Sequence, residues 1–137
     1  MSANEITETL LKELDNDYDY LILNFANCDM VGHTGIMDAA IKAVETVDIN
    51  LGKIYNKVKE LDGLLIVVAD HGNAEYMIDE NNEPFTAHTT NKVPFIVCKE
   101  GYEVLDGKLG DIAPSMLSIN NINVPNEMTG KIIIKKI

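Results

Sequence analysis

The chain contains no arginine: all eleven of its basic residues are lysine. Tryptophan is also absent, there are only two cysteines, and no apolar run approaches the roughly 20 residues that span a bilayer. Each shortage excludes something. Without arginine there is no planar guanidinium fork to clamp a carboxylate or phosphate. An anionic substrate would have to be met by lysine, backbone, a metal ion or another polypeptide segment. The net charge of −11 argues against a nucleic-acid surface, which needs clustered cations. Cys28 and Cys98 are too few for a disulfide framework and read as free thiols. The opening MSANEITETLLKELD is acidic and lacks the basic-then-apolar order of a signal peptide, so the expected compartment is the cytoplasm, with no membrane partner. At 137 residues, 46% of them hydrophobic, the chain is expected to form a single domain over residues 1–137.

The pattern alternates helix and strand. Ser2-x-x-Glu5 fits a capping box, and Ile6, Leu10 and Leu14 follow at helical spacing. Residues 20–26 form a near-continuous apolar run, expected as a strand covered on both faces. From Met37 the positions Ala40, Ile41, Val44, Val47, Leu51, Ile54, Tyr55 and Val58 describe a long amphipathic helix. It should end near Asp62-Gly63, with Gly63 in the left-handed cap conformation. Residues 64–69 and 93–98 read as further strands, residues 111–119 as a helix with Asp111 at its start, and residues 131–137 as a last strand. This order implies an α/β fold with three layers, α/β/α, built on a partial mixed sheet.

Chemistry-bearing residues cluster beside those strands. Asp29 and His33 follow the first, Asp70 and His71 end the second in VVADHGN, and His88 precedes the third in FTAHTTNK. All three histidines therefore stand in loops next to strand ends, where open α/β sheets bind ligands. Mixed imidazole and carboxylate ligation suits zinc or manganese, and a pair of such ions suits phosphoryl chemistry. Adjacent strand residues point to opposite faces, so Asp70 and His71 can serve one site only if the strand has already broken there. For His88 to meet the others, strand 93–98 should run antiparallel to strands 20–26 and 64–69.

Four segments together, NFANCDMVGHTG, VVADHGNAEYM, TAHTTNKVPFIV and LGDIAPSML, resemble the C-terminal part of the cofactor-independent (2,3-bisphosphoglycerate-independent) phosphoglycerate mutases of the alkaline phosphatase superfamily. The likeness covers nearly the whole chain in the right order. It implies a mutase that interconverts 3- and 2-phosphoglycerate through a phosphoserine intermediate with two metal ions, commonly manganese. Carried over, Asp29, His33 and His88 would hold the first ion, and Asp70 and His71 would be two ligands of the second. The resemblance also marks what is missing. Ser2, Ser115 and Ser118 are the only serines, and none lies in the family's nucleophile motif. The expectation is thus a C-terminal fragment of a phosphatase domain, inactive alone, whose parent binds phosphoglycerate. Its partners would be the missing N-terminal part and, through an exposed sheet edge, further copies of itself. The alternatives are a related metal-dependent phosphatase or phosphomutase, or a stand-alone metal-binding domain.

Overall fold

The computed structural model describes residues 1–137, which fall into two compact units. The first comprises Met1–Leu64 and His71–Val93, the second Leu65–Asp70 and Pro94–Ile137.

The first unit is helical: α1 (Ala3–Glu13), α2 (Asn27–Gly32) and α3 (Met37–Glu60), with α1 and α2 both packed on α3. The face that α3 buries matches the expected apolar stripe at Ala40 and Ile54 and departs from it elsewhere. Ala40, Ala43, Asn50 and Ile54 are buried, whereas Ile41, Val44 and Tyr55 stay exposed. Small residues allow close helix approach, and the Asn50 amide donates to Asn4 Oδ1 (2.9 Å) and to Thr46 O (2.8 Å). The Ser2 capping box does not form: no side chain caps α1, and the Ser2 carbonyl instead accepts Ile6 N–H at 2.9 Å. The end of α3 is a Schellman motif with an unexpected residue at its turn. Asp62, not Gly63, takes the left-handed conformation (φ 54°), while Gly63 N–H reaches Val58 O (2.9 Å) and Asp62 N–H reaches Lys59 O (3.1 Å). Short polar side chains such as Asp tolerate that region better than most.

Residues 20–26 do not form the expected strand. A strand persists only against a hydrogen-bonded neighbour, and no segment of these 137 residues ladders with this one. Ile22 within it is 91% exposed.

The second unit holds two small antiparallel sheets. β1 (Ile66–Val68) pairs with β2 (Phe95–Val97), Ile66 opposite Val97, so the expected antiparallel relation between 64–69 and 93–98 holds in shorter form. β3 (Tyr102–Val104), which periodicity did not reveal, pairs with β4 (Ile134–Lys136) inside the expected tail strand. A 3-10 turn at Leu109–Asp111 leads into α4 (Ile112–Ile119). Asp111 is buried and ties this unit together: one carboxylate oxygen accepts Lys108 N–H (2.9 Å), the other Lys131 N–H (2.8 Å). Those bonds, the Lys131 one foremost, hold its carboxyl below the ordinary value. Ser115 is equally occupied, donating to Asp111 O (2.6 Å) and accepting Ile133 N–H (2.8 Å).

No helix is long and apolar enough to cross a membrane.

Candidate metal centre

Asp29 stands in the first turn of α2 and His33 directly follows that helix. The intervening short helix was not foreseen, yet it explains the spacing: positions four apart share a helix face. Gly35, at φ 68°, then turns the chain toward α3. A side chain there would lie 2.9 Å from Pro84 Cβ and 3.1 Å from a Thr86 methyl, so glycine permits the loop carrying His88 to close over α2.

That loop is one arm of a folded excursion from His71 to Val93. Backbone pairing of Gly72 with Thr89 (Thr89 N–H to Gly72 O, 2.9 Å) and of Ile78 with Pro84 brings its two arms together. At its tip Asp79 Oδ1 accepts the N–H groups of Asn81 and Glu83, both at 2.9 Å. Tyr76 and Phe85 pack edge to face at 4.8 Å between the arms. His71 and His88 consequently stack, ring centroids 3.7 Å apart.

Three donor atoms converge. Asp29 Oδ1 lies 3.1 Å from His33 Nε2 and 3.0 Å from His88 Nε2, and the two Nε2 atoms are 3.1 Å apart. Donors bound to a single ion at about 2.0–2.2 Å stand roughly 2.8–3.6 Å from one another in octahedral or tetrahedral geometry. The triangle fits that size. Protonation supports the same reading. His33 Nδ1 is 2.6 Å from the Thr86 carbonyl, which can only accept, so Nδ1 carries the hydrogen and a neutral His33 turns a bare Nε2 toward Asp29. His88 Nε2 can bring one hydrogen to this triangle, which leaves one lone pair facing another. A cation between these atoms, a metal ion or a proton on His33 Nε2, relieves that arrangement, and two imidazoles with a carboxylate form a donor set suited to a divalent metal. The Nδ1–H to carbonyl bond is also how ligand histidines are commonly oriented. Solvent has access: the side chains of Asp29 and His88 are 33% and 48% exposed.

The remaining expected ligands are placed as follows. His71 Nε2 lies 3.8 Å from Asp29 Oδ1, beside the triangle rather than in it. β1 ends at Val68, so the strand has broken before Asp70 and His71; His71 belongs to the first unit and Asp70 to the second.

Sequence reasoning missed the outer partners. Buried Asn73 extends its amide to Asp29 Oδ1 (3.4 Å), and Gly32 makes room for it. Glu75 accepts Asn73 N–H (2.6 Å), the Asn91 amide (3.0 Å) and the Thr89 hydroxyl. The Thr89 bond above all holds the Glu75 carboxyl below its ordinary value, with burial opposing. Their signal was present in DHGNAE and AHTTN, where polar residues crowd the histidines.

Comparison with known proteins bears on this site. Residues 1–124 match the metalloenzyme superfamily. The chain is 58% identical over 139 aligned positions to the 2,3-bisphosphoglycerate-independent phosphoglycerate mutase of Clostridium botulinum, covering 98% of this chain and 27% of that protein. The proteins of the same name from Clostridium beijerinckii and Clostridium perfringens are each 55% identical, over 98% and 99% of this chain. The chain thus spans little more than a quarter of the length of these relatives.

Proposed function

Starting from a chain that belongs to the metalloenzyme superfamily, we propose that it forms the C-terminal part of a phosphoglycerate mutase. That enzyme interconverts 3- and 2-phosphoglycerate through a phosphoserine intermediate with two metal ions. The observation that carries this reading is the convergence of Asp29 Oδ1, His33 Nε2 and His88 Nε2 within 3.0–3.1 Å of one another. Identity of 55–58% to relatives bearing that name supports it.

In this reading Asp29, His33 and His88 hold one ion, and Asp70 and His71 supply two ligands of a second. Manganese is the proposed metal. A bound ion would stabilise developing negative charge on phosphoryl oxygens and make a hydroxyl more nucleophilic. The chain's own contribution is orientation. Thr86 O fixes the His33 tautomer, Asn73 braces Asp29, and the Gly72–Thr89 pairing sets His88 beside His71. Ser115 is committed to Asp111 and Ile133, and neither Ser2 nor Ser118 lies in the family's nucleophile motif, so this reading assigns the nucleophile to other polypeptide, as it does the guanidinium contacts to substrate. The three-layer α/β/α sheet of the alkaline phosphatase-like fold belongs to the same proposal.

The test is an assay with manganese for phosphoglycerate interconversion and for hydrolysis of p-nitrophenyl phosphate. It is run on the chain alone and with the remaining polypeptide of the C. botulinum relative added in trans. The expected result is no turnover alone, mutase turnover on addition, and its loss in Asp29→Ala. Mutase turnover by the chain alone would overturn the division of labour. Hydrolysis without interconversion would mean a related phosphatase, and metal binding without either would mean a stand-alone metal-binding domain.

A further inference from the structure

We infer that Glu75 is a positioning residue that locks the His71 and His88 arms together at the metal centre; this rests on the metal-binding reading above. Backbone pairing joins those arms near the site at one point, the Gly72–Thr89 bridge. The other links between the arms, the Ile78–Pro84 bridge and the Tyr76–Phe85 contact, lie further from the histidines. The Glu75 carboxylate supplies the missing points of attachment. One oxygen accepts the Thr89 hydroxyl and the Asn91 amide (3.0 Å) from the His88 arm, while the other accepts Asn73 N–H (2.6 Å) from the His71 arm. Bonds to an ionised carboxylate are roughly twice as strong as neutral ones.

The neighbours carry the constraint inward. Thr89 adjoins His88, whose Nε2 faces Asp29. Asn73 both donates its N–H to Glu75 and reaches Asp29 Oδ1 through its side-chain amide. Gly72 is what lets the carboxylate lie across the bridge. A Cβ there would stand 2.3 Å from Glu75 Oε1 and 2.2 Å from Thr89 Oγ, so any side chain would displace one or both. Glu75 is itself exposed and is not one of the converging donors. Its influence on the ion therefore passes through Thr89 and Asn73. This explains why an acidic residue stands four positions after His71: it braces ligands rather than acting as one.

The experiment is manganese titration of the chain by calorimetry for the unaltered protein and for Glu75→Gln, Glu75→Ala, Thr89→Val and His33→Ala. Imidazole nitrogen NMR spectra report the tautomers of His33 and His88. Glutamine can accept through one oxygen only, so affinity should fall in graded fashion, Glu75→Ala losing roughly 10- to 100-fold and Glu75→Gln less. The His88 resonances should broaden or split as its arm loosens. Loss in the Glu75→Gln, Thr89→Val double variant should be less than the sum of the single losses, because both remove one link. If Glu75→Ala fails to fold, the isosteric Glu75→Gln and Thr89→Val decide. Unaltered affinity and unaltered His88 resonances in those two would overturn the inference while leaving the site intact. No manganese binding in the unaltered chain, or binding untouched by His33→Ala, would instead overturn the metal-binding reading and the role of Glu75 with it.

Discussion

Replacing Gly32 by alanine sets helix propensity against packing. Gly32 is the last residue of α2, buried, with ordinary backbone geometry, and alanine in a helix is favoured over glycine by about 0.5–1 kcal/mol. Propensity alone would make the variant more stable. The structure says otherwise. An added Cβ would sit 1.8 Å from Asn73 Oδ1 and 2.8 Å from Asn73 Cγ. Asn73 is only 6% exposed, so it cannot swing clear without shifting its own loop. Overpacking of this kind costs about 1–3 kcal/mol, which exceeds the propensity gain at a helix end. The net expectation is destabilisation of about 1–2 kcal/mol, a fall of roughly 3–8 °C in melting temperature. The displaced Asn73 amide would also leave Asp29 unbraced, and manganese affinity should drop about tenfold or more. Thermal melting and metal titration read the two effects separately. A Gly32→Ala protein that is as stable as its parent and binds manganese equally well would refute the reasoning, because it would show that Asn73 is not held against α2.

Three further expectations follow from the same geometry. Ile134, 1% exposed in β4, should cost about 2–5 kcal/mol when cut to alanine, measured by urea unfolding. Asp111→Asn should destabilise the protein at neutral pH, since an amide cannot accept both the Lys108 and Lys131 N–H groups. The native Asp111 carboxyl is held below its ordinary 3.8, so its contribution is present above that value and lost as pH falls through the folded one. Unfolding curves of the two proteins should therefore converge in that acid window; parallel curves would exclude the linkage. Manganese affinity should weaken on acidification, because protons compete with the ion for the imidazole nitrogens, and His33→Ala, which leaves His88 as the one imidazole ligand, should make that dependence shallower in a titration at several pH values.

What could be read beforehand was local. The helical spacing from Met37 onward and the apolar runs at 64–69 and 93–98 yielded α3, β1 and β2, and the placing of His88 before its strand required the antiparallel pairing that is observed. The site clusters were visible because histidine is scarce, three in the chain, and each stands beside an apolar run. What escaped notice depended on partners. Residues 20–26 carry the composition of a strand, but composition cannot supply a neighbouring ladder. The six residues of α2 were too few for periodicity to register. The buried face of α3 takes in Ala43 and Asn50, small or polar residues outside the expected stripe, beside Ala40 and Ile54 within it. Glu75 and Asn73 matter through bonds to segments far along the chain, to Asn91 and to Asp29, which no short-range pattern discloses.

The most direct measurement is a manganese-edge anomalous difference map from crystals of the chain grown with the ion. The account predicts a peak bonded to Asp29, His33 Nε2 and His88 Nε2, at about 2.0–2.2 Å from the nitrogens. A map with no peak between these residues, or with its only peak elsewhere on the chain, would contradict the claim that this triangle is a metal centre.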